Sequence, residues 1–366
     1  MESRTEGLAN FLVYDDVFFN TKMRSLRDIS VMFLRALNRK GTVLDTTSAT
    51  GVRGIRYCLE ASIDKAIFLD INKNAYENTK RNVELNRIDG TVLNEDIRSF
   101  SCKSNERFSA IDLDPFGTPV PYMKDLLSIG RDGTLYMVTA TDTAVLCGAH
   151  ANACIREYAA RPLHNELCHE VGIRILIAYA VRLAAELNFG VHVYLALSNL
   201  HYMRIFFELK RGSTNALDSV RQIGFGSYCN KCHRYYYAPG IASAPAQVCE
   251  SCGGRTERFG PLWLGSIYDK GVIAAMLSHS SGASDEAISL LYKVYNELDI
   301  PFFYSVPKLT AMLGVGSISQ NVMVKELSKK GAASLTHFDP SGIKTDVPYD
   351  DIISELKTHV TTKAMR

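Results

Sequence analysis

The chain lacks any long apolar run that is free of charge. Its most hydrophobic helical stretch, Val171 to Leu187, carries Arg174, Arg182 and Glu186, so it is expected to pack inside a protein and not to span a bilayer. An excess of one charge is missing too. Lysines and arginines number 41 against 39 acids, a net charge of +2. Bulk charge therefore announces no nucleic-acid partner, and any basic surface has to be local. Met1 to Gly7 contain no apolar segment of the kind that directs secretion, and a cytoplasmic location is expected. The nine cysteines make no disulfide framework. Five are scattered singles (Cys58, Cys102, Cys147, Cys154, Cys168) and four form two C-x-x-C pairs, a pattern that suits a reducing compartment with one metal site. Nor is there a G-x-G-x-x-G, the usual fingerprint of a dinucleotide-binding turn.

What is present is a succession of strand-then-helix units. The 366 residues are 46% hydrophobic, enough for a sizeable core and two or three domains. Residues 14–40 open on Tyr14 to Asn20 and continue as a helix with Met23, Leu26, Ser30, Phe33 and Leu37 on one face. Arg27 and Asp28 lie beside that face, either as surface charges or as ligand-facing groups. A strand, Thr42 to Asp45, runs into the small-residue loop Thr46 to Gly54 and a helix through Glu60. Such a loop lets backbone N–H groups face a ligand. A second strand ends at Asp70, where a carboxylate can grip ribose hydroxyls. A helix over 73–86 and a third strand ending at Asp96 and Ile97 follow. Strand four covers 109–113 and strand five 134–139. After a loop and a long helix (about 165–188), strands over 191–197 and 203–209 are separated by Ser198–Tyr202, which allows only an antiparallel hairpin. Five βα units and a terminal antiparallel hairpin are the strand order of the S-adenosylmethionine-dependent methyltransferase fold; a dinucleotide-binding domain keeps its last strand parallel.

Strand four stops at Asp114-Pro115-Phe116-Gly117. Proline cannot continue the ladder and glycine permits a tight turn, so one carboxylate and one aromatic ring project where open α/β sheets hold ligands. These groups suit a flat, amino-bearing base: acceptors for its NH2 and a ring to stack on. The plainer reading is an ordinary turn over a buried Phe116, with Phe18 and Phe19 as core. Further on, Cys147, His150, Cys154, His164, Cys168 and His169 have loose, irregular spacings, and the segment reads as an ordered loop over the cleft and not as a metal site.

Composition shifts at Arg211 to Asn215, giving an expected boundary between residues 1–212 and 213–366. In the second part, Cys229, Cys232, Cys249 and Cys252 supply four thiolates at ribbon spacing for a structural Zn2+, with no position left for a reactive water. His233, Arg234 and Tyr235 to Tyr237 lie between the knuckles, either as a nucleic-acid contact or as a strand of the ribbon. Two short helices (308–313, 320–330) and a hairpin-like Thr336 to Thr345 resemble a winged helix. Lys325, Lys329, Lys330 and Lys344 are its candidate phosphate contacts.

Taken together, Asp16 to Asn20, Arg27-Asp28, Leu44 to Arg56, Asp112 to Gly117, Cys147 to His150 and Pro162 to Glu170 resemble the tRNA guanine-26 N2-dimethyltransferase family. The resemblance covers most of the chain, and Ser48 to Gly54 followed by Asp114 to Gly117 is quite specific to it. It implies transfer of one or two methyl groups from S-adenosylmethionine to the exocyclic N2 of guanine 26 in tRNA. It further implies that Arg27, Arg53, Asp70, Asp96 and Ile97 contact the cofactor, that Asp114 is catalytic, and that Phe18 and Phe116 stack on the base. The glycine-rich loop of methyltransferases is reduced here to Gly51 and Gly54. The expected fold class is α/β: a Rossmann-like methyltransferase sheet with a terminal antiparallel hairpin, plus a smaller α+β zinc-containing C-terminal domain. No membrane and no obligatory protein partner is expected. The alternatives are an amino-group methyltransferase acting on a DNA base, or a non-catalytic zinc-dependent RNA-binding protein.

Overall fold

The computed structural model describes residues 1–199 and 201–364, with side chains through 358. It opens on a hairpin, β1 (Glu2–Glu6) and β2 (Ala9–Val13), paired antiparallel. α1 (Arg24–Leu37) then buries Leu26, Ser30 and Phe33, and with them Arg27 and Asp28. Those two charges therefore belong to the interior.

Four βα units and a fifth strand follow: β3 (Thr42–Asp45), α2 (Val52–Glu60), β4 (Lys65–Leu69), α3 (Lys73–Asn86), β5 (Gly90–Leu93), α4 (Ile97–Lys103), β6 (Phe108–Leu113), α5 (Val120–Ile129) and β7 (Leu135–Ala140). The outer face of α3 explains the opening hairpin. Asn78, Asn82 and Asn86 recur at four-residue spacing on that face. Their side chains accept from the backbone N–H groups of Tyr14, Leu12 and Asn10 at 3.2, 2.8 and 3.0 Å. Three amides thus pair the free edge of β2 as a strand would.

The segment after β7 is not the loop the sequence suggests. It forms α6 (Thr143–Leu146) and α7 (Ala151–Tyr158) before α8 (Cys168–Glu186). β8 (Phe189–Asn199) and β9 (Tyr202–Arg211) form the antiparallel hairpin; Leu200 lies outside the described residues. The sheet order is β5-β4-β3-β6-β7-β9-β8, with β9 antiparallel to both neighbours. Strand order reverses between β3 and β6, so ligand-facing loops gather at their carboxyl ends.

α9 (Ser213–Arg221) leads to a three-stranded sheet of β10 (Ile223–Tyr228), β11 (Tyr235–Pro239) and β12 (Glu257–Trp263). α10 (Lys270–Ser278) and α11 (Asp285–Asn296) return to pack on α1. One apolar core runs from the large sheet through these elements, and a second surrounds Leu309, Met323, Leu327 and Ile352. Around the second core lie β13 (Tyr304–Ser305), α12 (Val306–Leu313), α13 (Gln320–Leu327), β14 (Ala333–Leu335), β15 (Gly342–Thr345) and α14 (Tyr349–Ala364). The helix pair and following hairpin keep the winged-helix order.

One expected phosphate contact is withdrawn. Lys344 is fully buried, with Nζ 3.1 Å from Glu170 Oε1, 3.1 Å from Glu297 Oε1 and 2.9 Å from the Ile300 carbonyl. Glu170 also takes Arg174 Nε at 2.9 Å, and Glu297 takes His337 Nδ1 at 2.9 Å. All four residues of β15 are buried, and Lys344 faces Glu170 on α8. Lys329 and Lys330 pair with Glu326 and Glu355, whereas Lys325 remains exposed.

Removing one partner from a buried ion cluster leaves the others uncompensated. Lys344→Met is therefore expected to cost about 3–5 kcal/mol, read from urea unfolding, while exposed Lys325→Met stays within about 0.5 kcal/mol. Equal, small effects for the two would show that the cluster carries no stability.

Candidate active site

A cavity of 660 Å³ opens at the carboxyl ends of β3, β4 and β6. Phe18, Arg27, Arg53, Asp70, Asp96, Ile97, Asp114 and Phe116 all line it, so the fold brings together every cavity residue singled out from the sequence. The turn after β6 is clamped from β7's end. Gly117 N donates to Thr141 Oγ1 at 2.7 Å, and Thr141 N donates back to Gly117 O at 2.9 Å. Gly117 has φ +74°, open to glycine without strain. Gly51, at the start of α2, also has φ +74°, and a Cβ there would meet Thr79 Cγ2 at 2.8 Å. Gly54, the other glycine of that loop, packs against Phe68, where a Cβ would clash with Cε1 of the ring.

Charge organises the cavity floor. Arg53 pairs with Asp114, whose side chain is 24% exposed. Beneath it, fully buried Asp112 receives Arg204 Nη2 at 2.7 Å and the Tyr57 hydroxyl. Arg204 continues to Thr139 Oγ1 at 2.6 Å and Ser30 Oγ at 3.1 Å. Burial pushes the Asp114 carboxyl up, but Arg53, Arg204, the Thr139 hydroxyl and Arg27 outweigh it and hold the group below the usual carboxylate range. Asp114 is therefore ionised at neutral pH. Asp45 goes the other way: burial and the neighbouring Asp112 charge push it up to about 7. The difference is one of partners. Asp114 has an arginine on its carboxylate, while Asp45 accepts only the Gly54 N–H, at 3.1 Å.

The remaining residues take distinct positions. Asp70 accepts Ala49 N and Asn72 N, one on each oxygen, both at 2.9 Å. Each oxygen keeps a lone pair for a further donor. Asp96 caps α4, with Oδ1 taking Arg98 N at 2.9 Å. Arg27 is held by Glu6, its Nε 2.7 Å from Oε1, and by the Asn20 carbonyl at 3.1 Å. The rings of Phe18 and Phe116, 53% and 76% exposed, meet edge to face at 4.6 Å. Phe19 turns inward instead, 5.0 Å from Phe11 and 4.9 Å below the Arg27 guanidinium.

Sequence reasoning missed Arg204, Tyr57, Thr139 and Glu6. Arg204 did leave a signal: it is a lone charge inside the apolar run Met203 to Phe207, and a strand covered on both faces gives such a charge a buried partner. His201, at the tip of the β8–β9 hairpin, also lines the cavity and was missed.

Far from the cavity, Cys229, Cys232, Cys249 and Cys252 keep all four sulfurs within 4.8 Å of one another. Two tight turns present them: His233 N donates to Cys229 O at 2.8 Å and Gly253 N to Cys249 O at 2.9 Å. Four convergent thiols without another donor fit a structural zinc. Of the residues between, Tyr235 to Tyr237 begin β11, with Tyr237 45% exposed. Tyr235 stacks on Tyr304 at 4.6 Å, Arg234 lies over Tyr236 at 5.2 Å, and His233 meets the Tyr228 hydroxyl at 2.6 Å.

Comparison with known proteins agrees with this geometry. A family model described as N2,N2-dimethylguanosine tRNA methyltransferase matches residues 2–357. The tRNA (guanine(26)-N(2))-dimethyltransferase of Thermococcus kodakarensis is 38% identical over 381 residues, covering 96% of this chain and 98% of that protein. Its namesake from Pyrococcus furiosus is 37% identical over 383 residues, covering 96% and 97%. Among solved structures, Trm1 from Pyrococcus horikoshii in complex with S-adenosyl-L-methionine superposes with TM-score 0.90 at 34% identity, over 97% of this chain and 99% of that one.

The raised Asp45 carboxyl has a consequence for stability. Its folded value lies above the unfolded one of about 4, so folding favours the protonated form. The penalty is absent below pH about 4, grows as pH rises, and is complete above about 7. Asp45→Asn should therefore gain stability over the parent progressively from pH 5 to pH 8 in urea unfolding. Parallel curves for the two proteins would refute the assignment.

Proposed function

The chain belongs to the N2,N2-dimethylguanosine tRNA methyltransferase family, and we propose that Asp114 is the group that readies the guanine amino nitrogen for the reaction. The reaction itself is methylation of the exocyclic N2 of guanine 26 in tRNA, with S-adenosylmethionine as donor. The observation that carries the assignment is an ionised carboxylate at the cavity rim, bordered by two exposed aromatic rings.

The residues present fit the cofactor. Arg53 lines the cavity and its buried Nη1 has no protein partner, which suits the carboxylate of an amino acid. Asp70, at the end of β4, has lone pairs free for two ribose hydroxyls. Asp96, Ile97 and Arg27 complete the wall. When bound, S-adenosylmethionine supplies an electrophilic methyl group.

The guanine amino lone pair is delocalised into the ring and is a poor nucleophile. Asp114 and the Pro115 carbonyl accept its two N–H hydrogens and turn the lone pair toward the methyl. As the C–N bond forms, positive charge grows on nitrogen, and the carboxylate stabilises it and takes the proton. The base has to leave its stack first, which costs a few kcal/mol. A base between two rings needs them about 7 Å apart, at roughly 3.5 Å per contact. Phe18 and Phe116 are closer than that, so one ring turns aside on binding. Phe116 is the freer one, beside a Gly117 with open space around it.

Residues 1–212 form the methyl-transfer unit in this reading and 213–366 the zinc-ribbon and winged-helix-like unit that meets tRNA, with exposed Lys325 as a phosphate contact. No helix among the described residues is long and apolar enough to cross a membrane, and the protein works in the cytoplasm beside its tRNA.

Nucleoside mass spectrometry of tRNA incubated with the protein and S-adenosylmethionine tests the function: N2-methyl- and N2,N2-dimethylguanosine should accumulate, and mass spectrometry of ribonuclease fragments should place them at position 26, alone or with a neighbouring guanine. Asp70→Ala should weaken cofactor binding by about 1.5–3 kcal/mol, and unchanged affinity in calorimetry would remove Asp70 from the site. Asp114→Ala should slow single-turnover methyl transfer about 10²-fold or more with little change in cofactor affinity. Asp114→Asn keeps an acceptor but loses the charge, and is expected to be nearly as slow. A near-normal rate for Asn would reduce Asp114 to a positioning group.

A further inference from the structure

Two sequence segments remain unused by the reaction, Cys147 to His150 and Pro162 to Glu170. Their spacing gave no metal pattern, because the donors come from different elements. The fold closes that gap: the donor atoms of Cys147, Cys168 and His169 all lie within 4.8 Å of one another. Cys147 ends α6, Cys168 and His169 begin α8, and Ser198 on β8 closes the fourth side.

We propose that Cys147, Cys168 and His169 form a second, three-donor site for a thiophilic divalent cation, zinc being the representative, independent of the cysteine quartet. Tetrahedral bonds of about 2.3 Å to sulfur and about 2.0 Å to nitrogen set edges of about 3.6 Å between S and N. Cys147 Sγ and His169 Nδ1 are 3.8 Å apart, so a small closure completes that edge. His169 presents Nδ1 to both Cys147 Sγ and Ser198 Oγ, the latter at 3.1 Å, and a neutral imidazole binds metal through this atom. Ser198 is itself fixed, its N–H donating to His337 Nε2 at 3.3 Å. Two thiolates cancel the charge of a dication, so the loaded site is neutral and tolerates its partial burial. His164 is no ligand through Nδ1, which engages the Cys147 carbonyl at 2.9 Å.

The place in the fold gives the site a task. α6 begins just after Thr141, which clamps the catalytic turn, and Glu170 of the interdomain ion cluster is the residue after His169. A metal here ties the segment holding Asp114's turn to the helix that anchors the C-terminal unit.

The test is metal stoichiometry on the full chain. Protein purified under a non-chelating reductant, loaded with zinc and dialysed should hold two zinc ions per chain, and Cys147→Ser/Cys168→Ser one. Cobalt(II) substitution should add to the all-thiolate spectrum a second, two-thiolate component that His169→Asn alters. One ion per chain in the parent protein, with an all-thiolate spectrum alone, overturns the site. So does a Cys147–Cys168 disulfide in non-reducing peptide maps of protein kept with zinc, which would make the pair a redox couple instead. Since the parent stoichiometry decides by itself, a variant that fails to fold leaves the result intact, and none of these readouts depends on methyl transfer.

Discussion

The carboxyl edge of the large sheet depends on one guanidinium, that of Arg53. Asp112 and Asp114 are two residues apart at the end of β6 and so face the same side, while Asp45 ends the adjacent strand. Three carboxylates in one buried space would repel and take up protons. Arg53 and Tyr57, four residues apart on α2, present both groups to that space, and Arg204 enters from β9. The outcome is unequal. Asp114, nearest Arg53, stays charged, and Asp45 absorbs the strain as a raised carboxyl. Asp114 keeps its charge beside Arg53 and Arg204, while Asp45, buried next to Asp112, gives up part of its own.

A second set of buried ions fixes the parts around this centre. Glu6 on β1 takes Arg27 and Arg56, the latter at 2.8 Å, and Arg56 passes the link to Asp28 at 2.7 Å. Asp28 in turn accepts Ser284 N at 2.9 Å, at the start of α11. On the far side Lys344 pairs with Glu170 and Glu297, and the His337 imidazole hydrogen-bonds Glu297, joining α8 to the winged-helix-like unit. Such clusters are directional and poorly tolerant of slippage, since each unpaired member would be costly. They hold the winged-helix-like unit at a set distance from the cavity.

The sequence was most legible where chemistry and local periodicity coincide. Acids at or just beyond strand ends, Asp45, Asp70, Asp96 and Asp114, announced both the sheet and its ligand edge, though β5 stops at Leu93 and Asp96 caps α4 instead of ending the strand. Two C-x-x-C knuckles announced their own geometry. What stayed hidden is what tertiary closure decides. Lys344 read as a phosphate contact because nothing in its short strand shows that both faces are covered. The opening hairpin was illegible because its partners are asparagine side chains on a helix many residues away. Cys147 and His169 looked unpaired for the same reason: α7 and its flanking turns lie between them in sequence and not in space. The 141–167 segment read as loop because its two helices are only four and eight residues long, below the length at which periodicity speaks.

The arginines around Asp114 raise a question about its chemistry, since they lower its basicity as well as keep it charged. Strong basicity is not what this reaction needs. The amino proton of neutral guanine is far too weakly acidic for any carboxylate to remove beforehand. Once nitrogen has gained its fourth bond it is strongly acidic, and a weak acceptor suffices. The proton therefore leaves late, and the rate depends on the charge that builds before it does. A carboxylate already ionised, held in place by Arg53 and flanked by low-dielectric walls, meets that charge without reorganising. A carboxylate with a raised value, like Asp45, would spend part of its time protonated at neutral pH and would offer that charge nothing. On the proposed mechanism the two acids of this edge have different duties, Asp114 toward the reacting nitrogen and Asp45 toward the loop that starts α2.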